Sequence, residues 1–80
     1  MKQIVSNLKN ELFKIQSRIE VLESAKESCI KNLSDPMRTD KQSIASTAVR
    51  YMNELGKLNE KARLIKNAIE NLKTAMEING

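Results

Sequence analysis

Val5-Ser6-Asn7-Leu8-Lys9-Asn10-Glu11-Leu12-Phe13-Lys14-Ile15-Gln16-Ser17-Arg18-Ile19-Glu20-Val21-Leu22 sets the fold of this chain. Its apolar residues Val5, Leu8, Leu12, Ile15, Ile19 and Leu22 follow one another by steps of three and four. That period places them in one stripe along a helix, whereas a strand needs alternation by two. The stripe continues through Cys29 and Leu33, with Lys26 at the one polar step. It is a heptad repeat: Val5, Leu12, Ile19, Lys26 and Leu33 fall at a, and Leu8, Ile15, Leu22 and Cys29 at d. Neither Gly nor Pro occurs before residue 35, so nothing interrupts a helix over about 2–33.

A second stripe of the same period follows. Ala48, Leu55, Ala62, Ile69 and Met76 take the a positions, and Ile44, Tyr51, Leu58, Ile65 and Leu72 the d positions. Ala45 and Met52 widen it on one side, and Ala68 and Ala75 on the other. About three apolar positions in seven suit a helix with more than one neighbour. Between the stripes stands Asn32-Leu33-Ser34-Asp35-Pro36, where Pro36 cannot continue the first helix. Two start signals compete after it. Asp35-Pro36 is an N-cap followed by proline at the first helical position, and Thr39-x-x-Gln42 spells a capping box. The second is favoured, giving a turn over about 34–39 and a helix over about 40–78. Ile78-Asn79-Gly80 reads as its frayed end. Gly56 falls inside this helix at an outward b position, where a continuous helix is expected. Glu27 with Lys31 and Glu70 with Lys73 are spaced as intrahelical ion pairs.

The fold class is therefore all-α: one domain over 1–80, an antiparallel two-helix hairpin of coiled-coil type. Two helices alone leave half of each stripe in water. Burial gives about 25 cal/mol per Å², against roughly 1.5 kcal/mol of ordering per residue. Dimerisation into a four-helix bundle is the expected remedy, with a different protein supplying the missing helices as the other. The seam comprises Val5, Leu8, Leu12, Ile15, Ile19, Leu22, Cys29, Leu33, Ile44, Ala48, Tyr51, Leu55, Leu58, Ala62, Ile65, Ile69, Leu72 and Met76. Lys26 within it reads either as a side chain snorkelling to water or as a device that selects register and partner.

Composition narrows the function. The 80 residues include one Cys and no His, which leaves no disulfide framework and no ordinary zinc site. Two Gly and one Pro are too few for a loop-rich or all-β domain. No apolar run approaches the roughly 20 residues of a membrane span, so a cytoplasmic chain without membrane attachment is expected. Phosphate-binding loops, Ser-His-Asp sets and metal-ligand spacings are missing, and no cofactor or enzymatic activity is expected. Cys29 has no histidine to act as its base and reads as a small core residue. Glu20, Glu23 and Glu27 fall at outward positions and read as a solvated face.

The formal charge of +4 divides evenly, with six basic and four acidic groups in residues 1–33 and eight and six in residues 34–80. Its densest stretch, Lys57, Lys61, Arg63 and Lys66, is interrupted by Glu60. It reads as a solvated face or a weak site for an anionic partner. Phe13, outside the seam beside Lys9 and Lys14, is a further candidate contact residue. The Lys31-Asn32-Leu33-Ser34-Asp35-Pro36 run is similar to the Ser-Asp-Pro turn of type III secretion needle subunits, although their aromatic-rich first half has no counterpart in residues 1–33. That resemblance implies a structural subunit of a larger assembly. The leading expectation is a homo-oligomeric hairpin, a dimer first, that binds another protein as adaptor, chaperone or inhibitor. Its alternatives are a bundle that binds nucleic acid or a nucleotide, and the structural subunit.

Overall fold

A computed structural model describes residues 2–79, and the side chains of residues 2–77. The described chain is all-helical. Helix α1 spans Lys2–Leu33 and helix α2 spans Lys41–Asn79, and they pack against each other along their length. Of the Ile78-Asn79-Gly80 end, the helix reaches Asn79, and Gly80 lies outside the described residues. The hairpin is a rod of 63 × 14 × 13 Å.

Local chemistry ends α1 and starts α2. The Ser34 amide donates to the Ile30 and Lys31 carbonyls, both at 3.2 Å, and the Asp35 amide donates to Asn32 at 3.2 Å. The Ser34 hydroxyl also donates to the Ile30 carbonyl at 3.2 Å, so side chain and backbone together satisfy the last carbonyls of the helix. Asp35 then builds the reversal. Its Oδ1 accepts the Met37 amide at 2.9 Å, and its carbonyl accepts the Arg38 amide at 3.3 Å, with Pro36 fixing φ between them. This turn does not propagate. The first bond of α2 runs from the Ile44 amide to the Asp40 carbonyl at 3.1 Å, which makes Asp40, not Thr39 or Asp35, the N-cap.

Two interhelical ion pairs fix the register. Arg18 Nε lies 3.4 Å from Glu54 Oε1, and Lys61 Nζ lies 4.0 Å from Glu11 Oε1. Seven residues down one helix match seven residues up the other, so the heptads stay in step along the rod. In that register Lys41 comes level with Lys31, in the last turn of α1, and Gly56 with Gln16, near its middle. Both pairs are about half exposed. A double-mutant cycle of Arg18→Ala and Glu54→Ala, read by urea unfolding, is expected to give a coupling of about 0.5 kcal/mol or less that shrinks with added salt. The intrahelical pairs expected at Glu27–Lys31 and Glu70–Lys73 are not among the ion pairs of the described residues. The helices instead bring Lys26 Nζ to 3.3 Å from Glu23 Oε2 and pair Arg63 with Glu60. Exposed pairs of this kind are worth only a few tenths of a kcal/mol, so small rotamer preferences decide which form.

Gly56 sits in unbroken helix, and a Cβ built on it meets nothing within 4 Å. Relative to alanine it costs α2 about 1 kcal/mol, and nothing in the hairpin requires it.

Candidate functional site

All the buried residues of the described chain are seam residues: Val5, Ile15 and Leu22 on α1, and Ala48, Leu55, Ala62 and Ile69 on α2. Leu22 is the most enclosed, at 1 % exposure. The rest of the seam is half-buried. That set holds Leu8, Leu12, Ile19, Cys29 and Leu33 of α1, the whole d row of α2 (Ile44, Tyr51, Leu58, Ile65 and Leu72) and Met76. Lys26 is half-buried too, with its ammonium drawn out to Glu23, which is the snorkelling geometry.

The two edges of the seam differ. Along the g positions the Glu11–Lys61 and Arg18–Glu54 pairs bridge the helices, and the small residues Ala25, Thr47, Ala68 and Ala75 there are half-buried. Along the e and b positions the helices part into an open groove of about 570 Å³ lined by Gln16, Ile19, Glu20, Asn59, Arg63 and Lys66. No interhelical ion pair of the described residues crosses this second edge. The a-row residues Ile19 and Ala62 line this groove and the exposed apolar residues Phe13, Ile30, Val49 and Met52 share its edge, whereas the half-buried d row of α2 opens to the g edge, on the side of exposed Ile4, Val21 and Leu64. Phe13 is 70 % exposed, a large apolar ring held in water.

The basic stretch does not form one patch. Lys57, Lys61, Arg63 and Lys66 are all exposed, but they fall at c, g, b and e and spread around α2. Lys61 is engaged by Glu11, and Arg63 Nε donates to Glu60 Oε2 at 3.1 Å. That guanidinium hydrogen bond holds the Glu60 carboxyl below its ordinary range. The pair is present above that range and is lost as pH falls through the depressed value. It is fully exposed and carries little of the fold. Only Lys66 faces the groove without such a partner.

Several of these features are absent from a reading of single helices. The interhelical pairs of Glu11 and Arg18 depend on register across the turn, and so does the gathering of Phe13, Ile30, Val49 and Met52 on one edge. Among the described residues, no group of three or more His, Cys, Asp or Glu side chains is placed to share a metal ion, and no helix is long and apolar enough to cross a membrane. The arrangement offers surface for association: exposed and half-buried apolar residues with polar margins along both edges of a rod. In comparisons with family models, curated proteins and solved structures, the chain matches none.

Proposed function

We propose that this chain is a non-enzymatic, oligomerising helical hairpin that binds another protein, as an adaptor, chaperone or inhibitor. The observation that carries the reading is the unfinished burial of the seam. The chain exposes 6091 Å², where a compact protein of its mass exposes about 4,900 Å². The difference exceeds the roughly 800 Å² that each partner contributes to a standard protein interface. The half-buried d row of α2 and the strip of Phe13, Ile30, Val49 and Met52 supply the apolar part of that surface.

Light scattering across a range of concentrations, with circular dichroism alongside, tests the reading. The expected result is a strongly helical dimer or tetramer, or a poorly helical chain that gains structure when a partner protein is added. A stably folded monomer at every concentration, with no affinity for apolar dyes, would overturn it. Growth without limit would favour the structural subunit instead. The nucleic-acid reading draws only on the +4 charge, because Lys57, Lys61, Arg63 and Lys66 are dispersed around α2. Salt-sensitive retention on heparin would revive it.

A further inference from the structure

We infer that the far half of the e edge, away from the turn, is a docking groove for an acidic amphipathic helix of another protein. This rests on the protein-binding reading above and names the face and the chemistry of the partner.

The observation that carries it is a set of like charges left facing one another. Lys2 and Lys9 hold e positions of α1, and Lys66 and Lys73 hold e positions of α2. All four are exposed, and none belongs to an ion pair among the described residues. In the register of Glu11–Lys61 and Arg18–Glu54, Lys9 comes level with Arg63 and Lys2 with Glu70. Lys9, Lys66, Lys2 and Lys73 therefore alternate between the helices by steps of about three, four and three residues, about 15 Å of rod in all. Residues at e set partner choice in coiled coils, and lysine against lysine there works against closing the hairpin on itself. Carboxylates at the same steps on a third helix would answer them.

The groove supplies the rest of the fit. It runs from Glu20 to Lys66, with Ile19 and Ala62 in its lining. Half-buried Leu12 continues the a row of α1 from Ile19 towards the lysines. From Ile19 to Lys73 is about 20 residues of rod in that register, roughly 30 Å or three heptads of helix. The g edge has exposed apolar residues too, but its charges pair across the helices and specify no charge in a partner. A second copy answers the lysines poorly. Its run of Glu20, Glu23 and Glu27 lies on one flank of α1, and Lys26 already holds Glu23. Lys2 and Lys9 on one wall, with Lys66 and Lys73 on the other, call for carboxylates on both flanks of an apolar stripe. A nucleic-acid duplex would reach past the lysines to Glu60, Glu70 and Glu77 on the outer margin of α2, which repel its phosphates.

The probe is a synthetic peptide of three heptads with Leu at a and d and Glu at e and g, titrated calorimetrically into the full chain. It is expected to bind, more weakly as salt is added, and at least about tenfold tighter than the same peptide with Lys at e and g. Lys9→Glu and Lys66→Glu are each expected to raise its dissociation constant at least about fivefold, with helicity kept. Arg50→Glu, at a c position more than a Debye length from the lysines, is expected to change it by less than about twofold. No binding, equal binding of the Lys-flanked peptide, or an affinity that Lys9→Glu and Lys66→Glu leave unchanged overturns this proposal. So do tighter binding of polyuridylate than of the acidic peptide, which would give the edge to nucleic acid, and loss of a wild-type oligomer in either lysine variant, which would give it to a second copy. The protein-binding reading survives any of these results if the wild type still associates. A folded monomer at every concentration, with no affinity for the peptide or for apolar dyes, overturns both.

Discussion

Leu22→Ala is expected to lower the unfolding free energy by about 3 kcal/mol, a loss of more than a hundredfold in the folded-to-unfolded ratio. Leu22 is the most enclosed side chain of the chain, at 1 % exposure, so its removal leaves a cavity that both helices line. Rods relax poorly around such a gap. Closing it would shift a helix whose register is fixed by Arg18–Glu54 on one side and by the turn on the other. The control is Leu64→Ala. Leu64 is 54 % exposed and outside the seam, and its loss is expected to change stability by less than about 0.5 kcal/mol. Urea unfolding followed by circular dichroism, at a fixed protein concentration, separates the two. Equal effects of both substitutions would show that the seam does not carry the fold.

Lys26→Leu is expected to act in the opposite direction, raising stability by about 1–2 kcal/mol. Lys26 occupies the one polar a position of α1, and its side chain is 26 % exposed with the ammonium turned to Glu23. A leucine there would continue the apolar stripe from Ile19 to Leu33 and add its buried area to the seam. The Lys26–Glu23 pair it removes is worth a few tenths of a kcal/mol at most. A single polar a residue also discriminates between registers and oligomers. The same substitution is therefore expected to broaden the distribution of oligomers seen by light scattering. A more stable variant that keeps one species would show that Lys26 does no more than snorkel.

Much of the fold was legible because the evidence for it is local. Steps of three and four from Val5 to Leu33 and from Ile44 to Met76 need only the helix period to read. The start of α2 was ambiguous for a physical reason: Asp35-Pro36 and Thr39-x-x-Gln42 both carry helix-start chemistry. Asp35 uses its carboxylate on the Met37 amide to make a turn, and helix formation waits for Asp40. The candidate site was less legible. Lys57, Lys61, Arg63 and Lys66 look like a cluster along the sequence, yet about 100° per residue scatters them around α2. Which edge carries the interhelical ion pairs depends on Glu11 meeting Lys61 and Arg18 meeting Glu54, residues paired only once the chain has reversed at Asp35. Phe13 stood out from sequence as an outward aromatic, but the exposed apolar residues that share its edge on α2, Val49 and Met52, belong to the other helix and lie nearer the turn.

The elongation of the hairpin governs how it moves through solution. Its radius of gyration is 18.2 Å, the value of a compact chain of about 260 residues. A single copy therefore diffuses slowly for its mass and is excluded from pores as a much larger globule would be. Two copies laid side by side would thicken the rod while hardly lengthening it, so friction rises less than mass. Sedimentation should then accelerate markedly on pairing while the hydrodynamic radius changes little, a hydrodynamic signature of side-by-side association that end-to-end growth would not share.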